Sequence, residues 1–231
     1  MKKIIKIKNI SKNYRILIEN NSIVKNILKE QKNNKKLFII MDKNISYILK
    51  KIKIEKNTKI IMCEGGEKIK TIENYSKIIS NLIKLNIDRN STIIAIGGGT
   101  LGDLTGFVAS TVLRGVNFIL MPTTLLSQVD SSIGGKNGIN NNQGKNLIGT
   151  FYQPNEVIID PSMLNSLPKR EIRAGYAEII KQPGMFDNLQ RHRIVVAGPT
   201  NLSAILSSLS MGFRTLAIEK RSSEVWDVLG V

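Results

Sequence analysis

The chain has 231 residues, 42% of them apolar, and a single cysteine, Cys63. That length supports a real core, and a lone cysteine excludes an internal disulfide framework and fits a reducing, cytoplasmic setting. The net charge is +16, but the lysines are scattered through an Ile- and Asn-rich background with few aromatics, which speaks against a nucleic-acid surface.

No apolar run is long enough to cross a bilayer, so no membrane partner is expected. Residues 1–6 are basic and alternating, so they read as a strand and not as a signal peptide. Residues 4–7 and 16–18 read as edge strands. Residues 37–41, Leu-Phe-Ile-Ile-Met, form a continuous apolar run, the mark of a buried parallel strand. Residues 45–52 follow as a helix, and 60–63 as another buried strand. Over 71–85, Ile72, Tyr75, Ile79, Leu82 and Ile83 recur at helical intervals. A third buried strand at 92–96, a helix at 101–113 and a fourth strand at 118–121 complete the pattern. Strand and helix alternate, which predicts an α/β fold: a Rossmann-like parallel sheet flanked by helices, with right-handed crossovers.

Composition breaks near residue 182. Lysine occurs 24 times in residues 1–182 and once, at Lys220, in the remaining 49. A domain boundary or a junction between unrelated reading frames would each produce such a break. No Gly-, Ser- or Pro-rich linker separates the parts, which speaks against an evolved, spaced pair of domains.

Four stretches carry chemistry. In the first, a buried strand runs into Gly97-Gly98-Gly99 and then Thr100-Leu101-Gly102-Asp103. Glycines there let backbone approach a ligand closely, and the following helix start offers free N–H groups to a pyrophosphate. Asp103, in the first turn, is placed to accept a hydroxyl hydrogen bond. An ordinary tight strand-to-helix turn would use the same glycines. The second stretch, residues 122–136, packs hydroxyls, Asp130, two glycines and Lys136 into 15 residues. The third, residues 143–154, sets Lys145 beside Asn146. On adjacent loops, Lys136 and Lys145 would clamp an anion, although either lysine alone also reads as a solvated charge. In the fourth, Glu178 and Lys181 stand three apart on one helix face, a spacing that a surface ion pair would also use.

Taken together, these motifs resemble the 3-dehydroquinate synthases. The likeness runs from about Gly65-Gly66-Glu67-Lys68-Ile69-Lys70 to Lys181 and rests on the joint occurrence of residues 97–107, 122–136 and 144–154. It implies an NAD-binding domain over residues 1–160 and the start of a helical metal and substrate domain at 161–182. The implied reaction converts a phosphorylated seven-carbon sugar acid, 3-deoxy-D-arabino-heptulosonate 7-phosphate, into 3-dehydroquinate and phosphate. In it, NAD transiently oxidises a substrate hydroxyl, phosphate leaves, the hydride returns and an aldol step closes the ring. A divalent metal, zinc or cobalt, and a homodimer are implied too. By position, Asp42, Glu67, Lys70, Gly99, Thr100, Leu101, Gly102, Asp103, Thr123, Thr124, Met163, Leu164, Asn165 and Ser166 resemble cofactor contacts. Asp130, Lys136, Lys145, Asn146 and Lys181 resemble substrate residues, and Lys136 and Lys145 match cofactor positions as well. Arg114 matches an arginine that serves the neighbouring subunit's phosphate site, and Glu178 matches the first metal ligand.

The likeness then stops. The family's other two metal ligands are histidines, and this chain has one histidine, His192, 14 residues after Glu178. A Glu-His-His site cannot be assembled from it, so the expectation is a truncated, inactive synthase. From 183 to 231 the sequence is similar instead to DNA recombination proteins of the RmuC type, over Val196–Leu202 and Met211–Trp226. A chimera is the simplest reading.

Overall fold

The computed structural model describes residues 2–8, 12–181 and 211, with the side chains of 178, 180 and 181 outside that description. In chain order, β1 is Lys2–Ile7, β2 Tyr14–Glu19, α1 Ser22–Asn33, β3 Leu37–Asp42, β4 Thr58–Cys63, α2 Ile72–Lys84 and β5 Thr92–Gly97. Then come α3 Gly99–Thr111, β6 Asn117–Pro122, β7 Lys136–Asn141, β8 Gly144–Phe151, β9 Glu156–Ile159 and α4 Lys169–Lys181. By contacts the chain divides into residues 1–181 and 182–231.

The β-branched runs became the centre of a seven-stranded sheet ordered β1-β2-β9-β6-β5-β3-β4. Residues on alternate sides of each strand enter two separate cores. Phe38, Ile40, Ile93, Ala95, Phe118 and Leu120 pack with Ile78 and Leu82 of α2 and with Leu104 and Val108 of α3. Leu37, Ile39, Met41, Ile94, Ile96 and Met121 pack with Ile23 and Ile27 of α1 and with Ile48. Helices therefore cover both faces, as a mostly parallel sheet requires.

Several expectations need correction. The strand predicted at 16–18 is not an edge. β2 pairs antiparallel with β1 and parallel with β9, which the sequence reading did not find. The strand predicted as buried at 60–63 is the outermost one, β4, with Met62 exposed. The helix predicted at 45–52 is a 3-10 segment, Lys43–Lys51. The helix predicted at 101–113 ends at Thr111, because Leu113, Arg114 and Gly115 all adopt positive φ, at 52°, 67° and 116°.

Helix α1 also escaped the sequence reading. Its inner face is polar as well as apolar: Asn26, Glu30 and Gln31 are buried beside Ile23 and Ile27, so the apolar stripe is too thin to register. Its N-terminus is capped from a distance. Asn21, at the cap position, lies in the left-handed region and makes no side-chain cap bond. The Asp160 carboxylate, just past β9, instead accepts from the backbone N–H of Asn21, Ser22 and Ile23 at 2.9, 2.7 and 3.2 Å. That satisfies the orphan donors of the first turn and places a negative charge at the positive end of the helix.

Helix α3 is flanked by close approaches. A Cβ at Gly102 would stand 3.1 Å from Leu120 in the sheet, and one at Gly106 would overlap the Asn137 side chain on β7. Asn137 cannot swing aside cheaply, because its Nδ2 donates to the Gly135 and Tyr152 carbonyls at 2.7 and 3.0 Å. Gly106→Ala is expected to cost about 2 kcal/mol through overpacking, read as a lowered urea midpoint. An unchanged midpoint would show that the hairpin yields freely.

Candidate functional site

The cofactor positions named from sequence gather at one edge of the sheet. Asp42 closes β3. Glu67 and Lys70 follow β4, Gly99 to Asp103 follow β5, Thr123 and Thr124 follow β6, and Met163, Leu164, Asn165 and Ser166 follow β9. In open parallel sheets, ligands bind at this carboxyl edge.

The glycine turn is built for close approach. The N-cap Gly98 of α3 has no side-chain cap bond, so the first amides of the helix stay available. A Cβ at Gly99 would stand 2.6 Å from the Ser131 hydroxyl. That hydroxyl is buried with no hydrogen-bond partner among the described residues. An orphaned donor beside an uncapped helix start suits an anionic group such as a pyrophosphate. Thr123 N–H holds the Gly97 carbonyl at 2.9 Å, and Thr124 and Ser127 hydrogen-bond each other, fixing the neighbouring loop. At the other end, a Cβ at Gly65 would overlap the Asp42 carboxylate, which already accepts from Asn44 N–H at 2.9 Å.

Lys70 is the centre of the site. It is 3% exposed, yet its ammonium donates to Asp103 Oδ2 at 2.7 Å and makes a short hydrogen bond to Asn146 Oδ1. Burial pushes the Asp103 carboxyl above its usual range. Lys70 pulls the other way, while Glu67 and Asp130 add to the rise. Asp103 was expected to meet a ligand hydroxyl; the structure shows it paired with a buried lysine.

Next to this node lies a cleft of about 490 Å³ lined by Asp103, Asp130, Ser131, Lys136, Asn146 and Thr150, among others. A second, of about 470 Å³, is lined by Tyr47, Asp160, Met163, Asn165 and Ser166. A larger depression, about 630 Å³, includes Tyr14, Arg15, Asn117 and Glu156, at the amino ends of the strands and away from the glycine turn.

The predicted two-lysine clamp is not formed. Lys136 and Lys145 are not on adjacent loops but on one antiparallel hairpin. Lys136 pairs with Phe151 at its base, and Lys145 follows Gly144 near its tip. Four residues of strand separate them by on the order of 13 Å, and Lys145 is not among the cleft's lining residues. Arg114 lies past the far end of α3, about 20 Å of helix from the glycine turn. Glu178 and Lys181 are on α4, but their side chains lie outside the described residues, as does His192. Among the described residues, no three His, Cys, Asp or Glu side chains are grouped to hold a metal, so these residues alone do not make a metal site. No helix among them is long and apolar enough to cross a membrane.

A doubly covered sheet with a glycine turn and a cationic node at its carboxyl edge places the chain in the Rossmann-like α/β class. The fold agrees with solved structures of that class. A 2-deoxy-scyllo-inosose synthase, crystallised with carbaglucose-6-phosphate, NAD+ and Co2+, matches 78% of this chain and 51% of its own, at 25% identity and TM-score 0.68. A 2-epi-5-epi-valiolone synthase from Streptomyces hygroscopicus, with NAD+ and Zn2+ bound, matches 80% of this chain and 54% of its own, at 26% identity and TM-score 0.68. The 3-dehydroquinate synthase N-terminal family matches residues 59–174, and the chain belongs to that family. The 3-dehydroquinate synthase of Crocosphaera subtropica is 54% identical over 134 residues, covering 56% of this chain and 37% of the relative. The chain spans about half or less of the length of the curated relatives it matches, up to 53%. The RmuC family matches residues 172–231, so the two family matches meet within α4.

Proposed function

We propose that residues 1–182 form the cofactor side of a 3-dehydroquinate synthase site. Residues 1–160 serve as the NAD-binding domain and 161–182 as the beginning of the helical one. The observation that carries this reading is the Lys70–Asp103–Asn146 node, which joins the glycine turn to the cleft containing Lys136. NAD, when bound, supplies a hydride acceptor for a substrate carbinol. The chain's own residues do the rest. The amides at the start of α3 and the Ser131 hydroxyl meet the pyrophosphate. Asp42 and Glu67 take ribose hydroxyls, while Thr123, Thr124 and Met163 to Ser166 line the cofactor's flanks. Lys136 and Asn146 hold the anionic, hydroxyl-rich substrate, with Asp130 accepting from its hydroxyls. The substrate is the heptulosonate phosphate. Arg114 serves a second copy's phosphate, and Lys181 completes the anion contacts.

A calorimetric titration with NAD+ tests the cofactor reading. Saturable heat is expected from the full chain. Gly99→Val should weaken it at least tenfold, because its Cβ would meet Ser131 at 2.6 Å. Absence of saturable heat in the unaltered chain would refute the reading. The described residues hold no metal site, and the sequence offers one histidine. This chain alone is therefore expected to release no phosphate from the heptulosonate phosphate when NAD and zinc are supplied, and robust zinc-dependent release would overturn that. A related sugar-phosphate cyclase activity is the second reading, favoured by the fold likeness to 2-deoxy-scyllo-inosose synthase. We further propose that residues 183–231 are foreign to the synthase. An intact reading frame across codons 178–195 in independent isolates would count against a sequencing or assembly origin.

A further inference from the structure

We propose that Asn140 is a positioning residue that latches the β7–β8 hairpin to the cofactor loop, so that the anion cleft and the cofactor turn are organised together. Strand pairing places it there. The register runs from Ile139↔Ile148 to Asn141↔Gly144, so three residues of β8, 145 to 147, bulge opposite Asn140 alone. Opposite a bulge the ladder is locally disrupted, which frees Asn140 from a regular cross-strand partner. Its freed N–H donates to the Lys70 carbonyl at 2.8 Å. Its side chain then bridges two further segments. Nδ2 donates to Glu67 Oε1 at 2.8 Å, and Oδ1 accepts from Asn146 N–H at 2.9 Å.

The second of these bonds secures an unusual conformation. Asn146 lies in the left-handed region, with φ 56°, a state asparagine tolerates better than most residues. In that state its own Oδ1 reaches the Lys70 ammonium. Asn140 thus holds Glu67 on one side and the Lys70–Asn146 contact on the other, and an amide with one donor and one acceptor used in opposite directions is the side chain this requires. No resemblance pointed to it; it stands in the run Asn140-Asn141-Asn142 of an asparagine-rich chain.

The cofactor part of this inference rests on the proposed reading that Glu67 and Lys70 hold NAD. The test therefore has two independent arms on the full chain. The first is NAD+ affinity by calorimetry at about pH 8 and about pH 5.5 for the unaltered protein, Asn140→Asp and Asn140→Ala. Asn140→Asp keeps the acceptor for Asn146 but sets a carboxylate against Glu67, with Lys70 and, through it, Asp103 as the nearby charges, and Lys145 beside Asn146. Affinity should fall about tenfold near pH 8. It should recover to within about threefold near pH 5.5, where one proton shared by the two carboxyls restores the donor. Asn140→Ala should lose about fivefold at both pH values. A purely structural role would weaken Asn140→Asp equally at both pH values, and that result, or no weakening, would overturn the proposal. The second arm is amide exchange at Asn146 without NAD. It should quicken at least about tenfold in Asn140→Ala, and unchanged protection would overturn the latch. If the unaltered chain binds no NAD, the cofactor reading fails while the exchange arm still decides on Asn140.

Discussion

Asp103→Ala is expected to destabilise the fold by about 3 kcal/mol, because it strands the charge of Lys70 in a nearly closed environment. Lys70 is 3% exposed and has Asp103 as its salt-bridge partner at 2.7 Å. Asn146 offers it a dipole but no countercharge. Asp103→Asn should cost roughly half as much, since the amide keeps an oxygen for the ammonium. A urea titration reads both as a shift of midpoint at constant slope. A loss below about 1 kcal/mol for the alanine variant would mean that Lys70 finds solvent or another acceptor, and that the node is not the structural centre of the site.

A comparable loss, about 3–4 kcal/mol, is expected for Asp160→Ala. Asp160 is 2% exposed. Besides the three amides of α1 and its cap, it accepts from the Ser162 N–H at 3.0 Å and the Ser162 hydroxyl at 2.6 Å. Its removal uncaps α1 and leaves buried donors without partners on two elements far apart in sequence. Amide exchange at Ser22 and Ile23 should quicken more than at β5, because the opening is local before it is global. Equal loss of protection everywhere would contradict the capping role.

The parallel core was legible because its strands are continuous apolar runs. Residues 37–41 and 92–96 are buried on both faces, and nothing else of that length reads the same way. β9 was missed because Glu156-Val157-Ile158-Ile159 is four residues long and opens on an acid. The acid is accommodated only because Arg15 meets Glu156 across the β2–β9 pair at 2.7 Å, a partner 141 residues away that no local pattern reveals. The turn at the carboxyl edge was legible from Gly97 to Gly99 and the Asp103 that follows. The separation of Lys136 from Lys145 was not, since the segment between them carries polar, asparagine-rich sequence with weak strand propensity. It forms a hairpin because Asn137 and Tyr152 fasten its base.

Helix α3 keeps the glycine turn and the corner after it in step. Gly102 and Gly106, one turn apart on the same face, meet the sheet and the hairpin in succession, so the helix has a single permitted rotation about its axis. A residue added or removed between Gly102 and Gly106 would turn everything beyond it by about 100° and slide it about 1.5 Å. Gly106 would then leave Asn137, and a side chain would arrive in its place. The glycine turn and the Arg114 corner are in this sense two marks on one ruler. A change in the length of α3 would break that spacing.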